Sequence, residues 1–261
     1  MALLARLRGG ARAVRFPDRV PPLPERFRGR AEFAPSRCAN RLETCSARAP
    51  LPLIGRGAGG APTLDLGACL FSPEEAALCD QGALTFTRDY RMASSSRAGL
   101  VVGEGEAARV ESLDARARRL FGRSLKLRSV AAGSCGGCEA ELTALGNVVF
   151  DLGRFGVQFV ASPRHADGLV VTGIVNPNMR AALARTWEAV PEPRLVIAVG
   201  ACAIGGGPFA GGAESGGGVP PEIPVDLWVP GCPPHPLTLL DGLLRLLGRI
   251  EDGGRRGSAP H

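Results

Sequence analysis

Hydrophobic and polar positions change their rhythm at about residue 123. Beyond it, apolar runs short enough to be strands alternate with longer stretches of helical spacing. LKLRSVAAG (125–133) reads as a strand and CEAELTALGNVVFDLG (138–153) as the helix after it. VQFVA (157–161) and GLVVTG (168–173) follow as strands, and NMRAALARTWEAV (178–190) as an amphipathic helix. RLVIAVG (194–200) and VDLWVPG (225–231) are further strands, and PLTLLDGLLRLLGRI (236–250) closes the series as a helix. A strand with no polar alternation is buried on both faces, and alternation with helices supplies the cover. The pattern predicts an α/β fold over 123–250: a flavodoxin-like, doubly wound parallel sheet.

Before residue 123 the periods are short and broken by turns. APTLDLGAC (61–69) and GALTFTRDY (82–90) are the clearest strands, inside a small domain spanning 30–95. MASSSRAG (92–99) reads as a linker and AARVESLDARARRLFG (107–122) as an Arg-rich amphipathic helix, so 96–122 is expected to connect the two halves. The tail 251–261 is expected to be disordered.

Composition sharpens this picture at three points. With 36 glycines, 22 prolines and 5% aromatic residues, the chain suits a turn-rich α/β protein better than a β-sandwich. Net charge is +6, and residues 1–41 carry ten arginines against Asp18, Glu25 and Glu32. The basic arm, 1–29, is expected to be solvated and to meet anionic lipid or an acidic partner subunit. It has neither the aromatic interleaving nor a motif that would point to nucleic acid. No apolar run reaches the ~18–20 residues of a membrane span, and MALLARLRGGARAVR is too short and too charged for a signal sequence. The expectation is a chain that stays in the cytoplasm, with no signal peptide or transmembrane segment. Its eight cysteines are then metal ligands or free thiols rather than disulfides.

Four of those cysteines fall at the carboxyl ends of predicted strands. Cys135 and Cys138 follow the first strand, Cys202 follows RLVIAVG, and Cys232 follows VDLWVP. Parallel topology brings such loops to one sheet edge, where open α/β folds place ligands. Four thiolates gathered there suit a zinc ion or a 4Fe–4S cluster. Zinc ribbons use paired CxxC knuckles, whereas this chain has one CxxC and two singletons in the glycine-rich loops GSCGGCE, GACAIGGG and PGCPP. Glycine allows backbone N–H groups close to sulfur, which favours iron–sulfur over zinc. Buried core thiols are disfavoured in such loops.

GRSLKLRSVAAGSCGGCEAEL, VVTGIVNPNM, VIAVGACAIGGGPF and VPGCPPHP, in that order, resemble the small iron–sulfur subunit of complex-I-related membrane-bound nickel–iron hydrogenases. The same family includes the 20-kDa-type quinone-reducing subunit of complex I, and the resemblance covers about 115–250. Complex I relatives carry adjacent cysteines in the first motif, so the CxxC here leans toward the hydrogenase branch. The resemblance implies one 4Fe–4S cluster on Cys135, Cys138, Cys202 and Cys232. It also implies a catalytic large subunit holding the metal, membrane subunits, and an external electron donor. Glu141 matches an acidic position of the family. Its readings are proton handling or cluster tuning, and a solvated carboxylate favoured by the helix dipole. Ala132 stands where many relatives are acidic, so the local electrostatics differ. Asn176 is read as a helix cap with a turn at Gly173 and Pro177, and His235 as a residue at a helix start rather than a ligand.

The first half resembles a two-cluster ferredoxin, whose C-x2-C-x2-C-x3-C-P runs exchange their last cysteines. The ligand count fails here. Counting back from Pro50, Ala49 and Leu42 occupy ligand positions, Cys45 remains, and Cys38 lies one residue early. In CLFSPEEAALCD, Cys69 and Cys79 remain while Ser72 and Glu75 fill the middle. Cys38, Cys45, Cys69 and Cys79 are therefore expected not to hold intact clusters, in a degenerate α+β ferredoxin-like domain kept for shape and docking.

The expected role is electron transfer next to a catalytic large subunit. Two alternatives stand with it: a complex-I-like quinone reductase subunit without nickel, and a structural or assembly subunit with no net electron flow.

Overall fold

The computed structural model describes residues 13–19, 21–37, 42–57, 60–78, 82–103 and 110–250. The tail 251–261, the first twelve residues of the arm, Cys38 and Cys79 lie outside them.

Five parallel strands form the central sheet: β6 (Leu125–Ala131), β7 (Val157–Phe159), β8 (Gly168–Thr172), β9 (Leu195–Val199) and β10 (Leu227–Val229). Their spatial order is β10-β9-β8-β6-β7. Numbered within the domain this is 2-1-3-4-5, the flavodoxin-like order with its switch point at the first strand. Every residue of β8 and β9 is buried, as their unbroken apolar sequences require. Side chains alternate between the two faces. Leu125, Leu127, Val170, Ile197 and Val199 meet the leucines of α4 (Gly137–Leu145) and α7 (Pro236–Leu246). Val130, Leu169, Val171 and Val196 meet Leu183 of α5 (Pro177–Glu188). Asn176 caps α5, accepting from Met179 N at 2.9 Å, as its position before Pro177 predicts.

Two predicted helices are shorter than their apolar patterns. The one after β6 ends at Leu145, and a 3-10 turn at Leu152–Phe155 replaces its remainder. Gly146 closes α4, and Asp151 sits at φ 49°, which no helix continues through. The helix expected over 107–122 is α3, Ala115–Phe121 alone. Asp114 caps it by accepting from Ala117 N at 2.8 Å, so residues 110–114 enter it as extended chain.

The first half contains β1 (Ala31–Phe33), α1 (Leu42–Arg48), β2 (Ile54–Arg56), β3 (Pro62–Asp65), α2 (Pro73–Ala76), β4 (Leu84–Phe86) and β5 (Val101–Val102). The first strand pairs antiparallel with β4, and β2 with β3, so two strand–helix–strand units face one another. The predicted strand at 61–69 is β3, while β1, β2 and α1 are too short to show a period.

The segment read as a linker is part of the fold. Val101–Val102 pairs with β3 as β5. Ser94 exchanges backbone hydrogen bonds with Trp228 at 2.9 and 2.8 Å, covering the free edge of β10. Residues of the arm are likewise held. Phe16 is buried against Tyr90, Val14 N donates to Val149 O at 2.8 Å, and Arg154 donates to the carbonyl oxygen of Phe16 at 3.3 Å. Apolar Phe16 and Val14 decide this, against the arginine-rich composition that suggested a solvated arm.

One charged pair is buried in this core. Arg245 Nε donates to Asp241 Oδ2 at 2.8 Å, one turn apart on α7, with 9% and 3% of the two residues exposed. Asp241→Ala would leave a buried guanidinium without that carboxylate and is expected to cost about 3–5 kcal/mol. Denaturant unfolding of the full chain checks this. A loss under ~1 kcal/mol, the range of surface pairs, would contradict the burial.

Candidate metal centre

The carboxyl ends of β6, β8, β9 and β10 lie along one edge, and the loops leaving them carry the candidate ligands. After β6 the chain turns through Gly133 (φ 90°), passes exposed Cys135, and starts α4 at Gly136 (φ 87°). Cys138 therefore lies in the first turn of α4 and is half-buried. After β9, Gly200 opens α6 (Gly200–Gly205), which holds half-buried Cys202. The glycines of GACAIGGG point to a loop, but burial of Ala201, Ala203 and Ile204 makes it a short helix. After β10, Gly231 precedes exposed Cys232, and the Cys232–Pro233 peptide is cis.

These loops touch one another through backbone. Ala201 N donates to Gly231 O at 2.9 Å. A Cβ on Gly173 would lie 2.7 Å from Gly133 C, so the loops after β6 and β8 approach as only glycine allows. A Cβ on Gly200 would stand 2.6 Å from Cys138 Sγ, and one on Gly207 2.9 Å from Cys202 Sγ. Both glycines have positive φ. Space around the thiols is kept free of side chains.

The thiols share one electrostatic environment. Burial pushes Cys138 up to about 12, and Glu139 and the other three cysteines add to the rise. Cys202 is pushed up to about 11, by burial first and then by Cys232, Cys135 and Glu139. Cys232 is raised by burial, then by Cys135 and Glu75. Burial, and after it the neighbouring thiols and carboxylates, disfavours the thiolate forms, which a bound cationic centre would stabilise. Among the described residues, no three His, Cys, Asp or Glu side chains are placed to hold a single metal ion. In donor chemistry, four thiols on adjoining strand-end loops suit an iron–sulfur cluster.

Around the thiols, Glu139 is held by the strand beside it. Burial raises its pKa, but hydrogen bonds from Thr172 and Ser134 outweigh that and hold it low. Sequence position singles out Glu141 instead, two residues on, and burial raises that carboxyl. Ala132 is fully buried, its backbone bonded to Thr172 and Asn176. His235 is the N-cap of α7, its Nδ1 accepting from Leu237 N at 3.2 Å, and it packs edge-on to Phe27 and Phe150.

The remaining described cysteines stand apart. Cys45 and Cys69 are buried in the core between the first half and α6. Beside Cys69, Ser72 and Glu75 form a reciprocal capping box on α2. The S-x-x-E signature in SPEE is the signal that could have found this box, but the ferredoxin-like spacing masks it.

A family model described as "NADH ubiquinone oxidoreductase, 20 Kd subunit" matches residues 135–246. Formate hydrogenlyase subunit 7 of Escherichia coli is 40% identical over 54% of this chain; the chain spans only 56% of that relative's length. An NADH-quinone oxidoreductase subunit of Heliobacterium modesticaldum is 45% identical over 46% of this chain and 69% of its own. The probable membrane-bound hydrogenase subunit mbhJ of Pyrococcus furiosus is 39% identical over 58% of this chain and 90% of its own. The matched span contains the whole strand-end cysteine set, and with these relatives it shows that the chain belongs to the NADH ubiquinone oxidoreductase 20 Kd subunit family.

Proposed function

We propose that this chain is the electron-transfer small subunit of a hydrogenase-type, complex-I-related membrane-associated complex, with one 4Fe–4S cluster on Cys135, Cys138, Cys202 and Cys232. The observation that carries the reading is the meeting of these thiols at one sheet edge, inside the span shared with the relatives. A cluster bound there supplies one-electron transfer to a metal site across a subunit interface.

The chain's own contribution is positional. Gly200 and Gly207 keep the sulfurs free of Cβ atoms. Glu139, bonded to Thr172, fixes the first turn of α4 to the end of β8. Glu141, whose burial favours the protonated form, is the group we assign to proton handling beside the centre. Cys135 and Cys232 are exposed, and Phe209, in the loop after Cys202, is 55% exposed. An apolar ring and open thiol sites at one edge suit a catalytic large subunit as partner. The mature complex would also include membrane subunits and receive electrons from an external donor. No helix among the described residues is long and apolar enough to cross a membrane; peripheral attachment on the cytoplasmic side is the arrangement we infer.

The first half is read as a degenerate ferredoxin-like domain. Its two strand–helix–strand units, joined by pairing of the first strand to the last, support that reading. A second functional reading is a quinone-reducing subunit without nickel, suggested by the name of the Heliobacterium modesticaldum relative but not favoured over the hydrogenase-type one.

Anaerobically purified chain is expected to contain about four irons and four sulfides, and Cys202→Ser to lose most of them. About eight irons would contradict the degenerate first half, and zinc alone would refute the assignment. In the assembled complex, the EPR signal of the reduced cluster is expected to respond to hydrogen or formate with the donor present. Response to quinol alone would favour the second reading, and silence toward all of these would remove the electron-carrier role.

Gly200→Ala is expected to lower cluster occupancy at least severalfold, because its methyl meets Cys138 Sγ at a positive φ. Iron per folded chain measures it. Full occupancy would show that Cys138 is not where the cluster needs it.

A further inference from the structure

Glu75 is the most deeply buried acidic side chain among the described residues, with 1% exposed. Its carboxylate is enclosed by the loop before α2. Leu70 N donates to Oε1 at 2.9 Å and Ser72 N to Oε2 at 3.0 Å, while Cys69 Sγ lies 3.4 Å from Oε2. Phe71 N turns instead to Cys69 Sγ at 3.4 Å, and Phe71 itself sits at φ 56°. Two backbone N–H groups of this loop thus bind the carboxylate, that of Ser72 as part of the capping box of α2.

The loop is fixed against the cysteine edge. A Cβ on Gly67 would lie 2.7 Å from a methyl of Ile204, on the short helix that carries Cys202. Cys69, Phe71, Ala203 and Ile204 belong to one buried apolar cluster.

Resting on the cluster assignment above, we propose that Glu75 is a potential-setting residue, a fixed buried anion that stabilises the oxidised, less negative form of the cluster and lowers its reduction potential. It is a tuning residue and touches neither iron nor a reaction partner. Charge and hydrogen bonding around a cluster are established levers on potential. A buried charge is also screened little by salt.

The test is an EPR-monitored redox titration of the full chain carrying its cluster. Glu75→Gln keeps the shape and removes the charge, and the midpoint potential is expected to move to more positive values. The shift should persist at high salt. Ser72→Asp keeps the cap and adds an anion to the same loop, so its midpoint is expected to move the opposite way. An unchanged midpoint in Glu75→Gln, with about four irons per chain as in the wild type, overturns the inference and leaves the cluster assignment intact. If Glu75→Gln fails to fold, Ser72→Asp decides alone, and an unmoved or more positive midpoint overturns the inference. A wild-type chain without iron overturns both.

Discussion

The parallel register of β6, β8, β9 and β10 is the constraint on which everything else rests. Strands running one way deliver all their carboxyl ends to one edge. Cysteines separated by up to 97 positions, Cys135 to Cys232, arrive together without any local motif joining them. The cost of that register is burial on both faces. The chain meets it with the unbroken apolar runs of β8 and β9 and with the leucines of α4 and α7.

Glycine is the second condition. Its role at the edge is not flexibility but the absence of Cβ. The loops after β6 and β8 meet backbone to backbone at Gly133 and Gly173, and Gly200 faces Cys138 Sγ at a distance no side chain tolerates. Burial first, and mutual repulsion after it, raises the Cys138 and Cys202 thiols, and a bound cationic centre would offset both.

The first half is tied to this edge rather than hung from it. Ser94 covers β10, Gly67 abuts Ile204, and Phe16 packs on Tyr90. Contacts of this kind make the buried Glu75 a fixed part of the cysteine environment.

The sequence by itself determined the strand and helix alternation beyond residue 123, the strand order class and the four cysteines at strand ends. These depend on local periods, on glycine and on topology rules that one chain displays. It also determined Asn176 as a cap, because the capping side chain and Pro177 are neighbours. Only tertiary structure decided the rest. The linker became β5 and an edge cover, since Val101, Val102 and Ser94 carry no period of their own and pair with distant strands. The arm docked because two apolar residues outweighed its arginines. Glu139 displaced Glu141 as the anchored acid because Thr172 lies on another strand, 33 residues away. Glu75 looked like a lost ligand; its burial, and with it a role, comes from a loop closing around it, which spacing alone does not reveal.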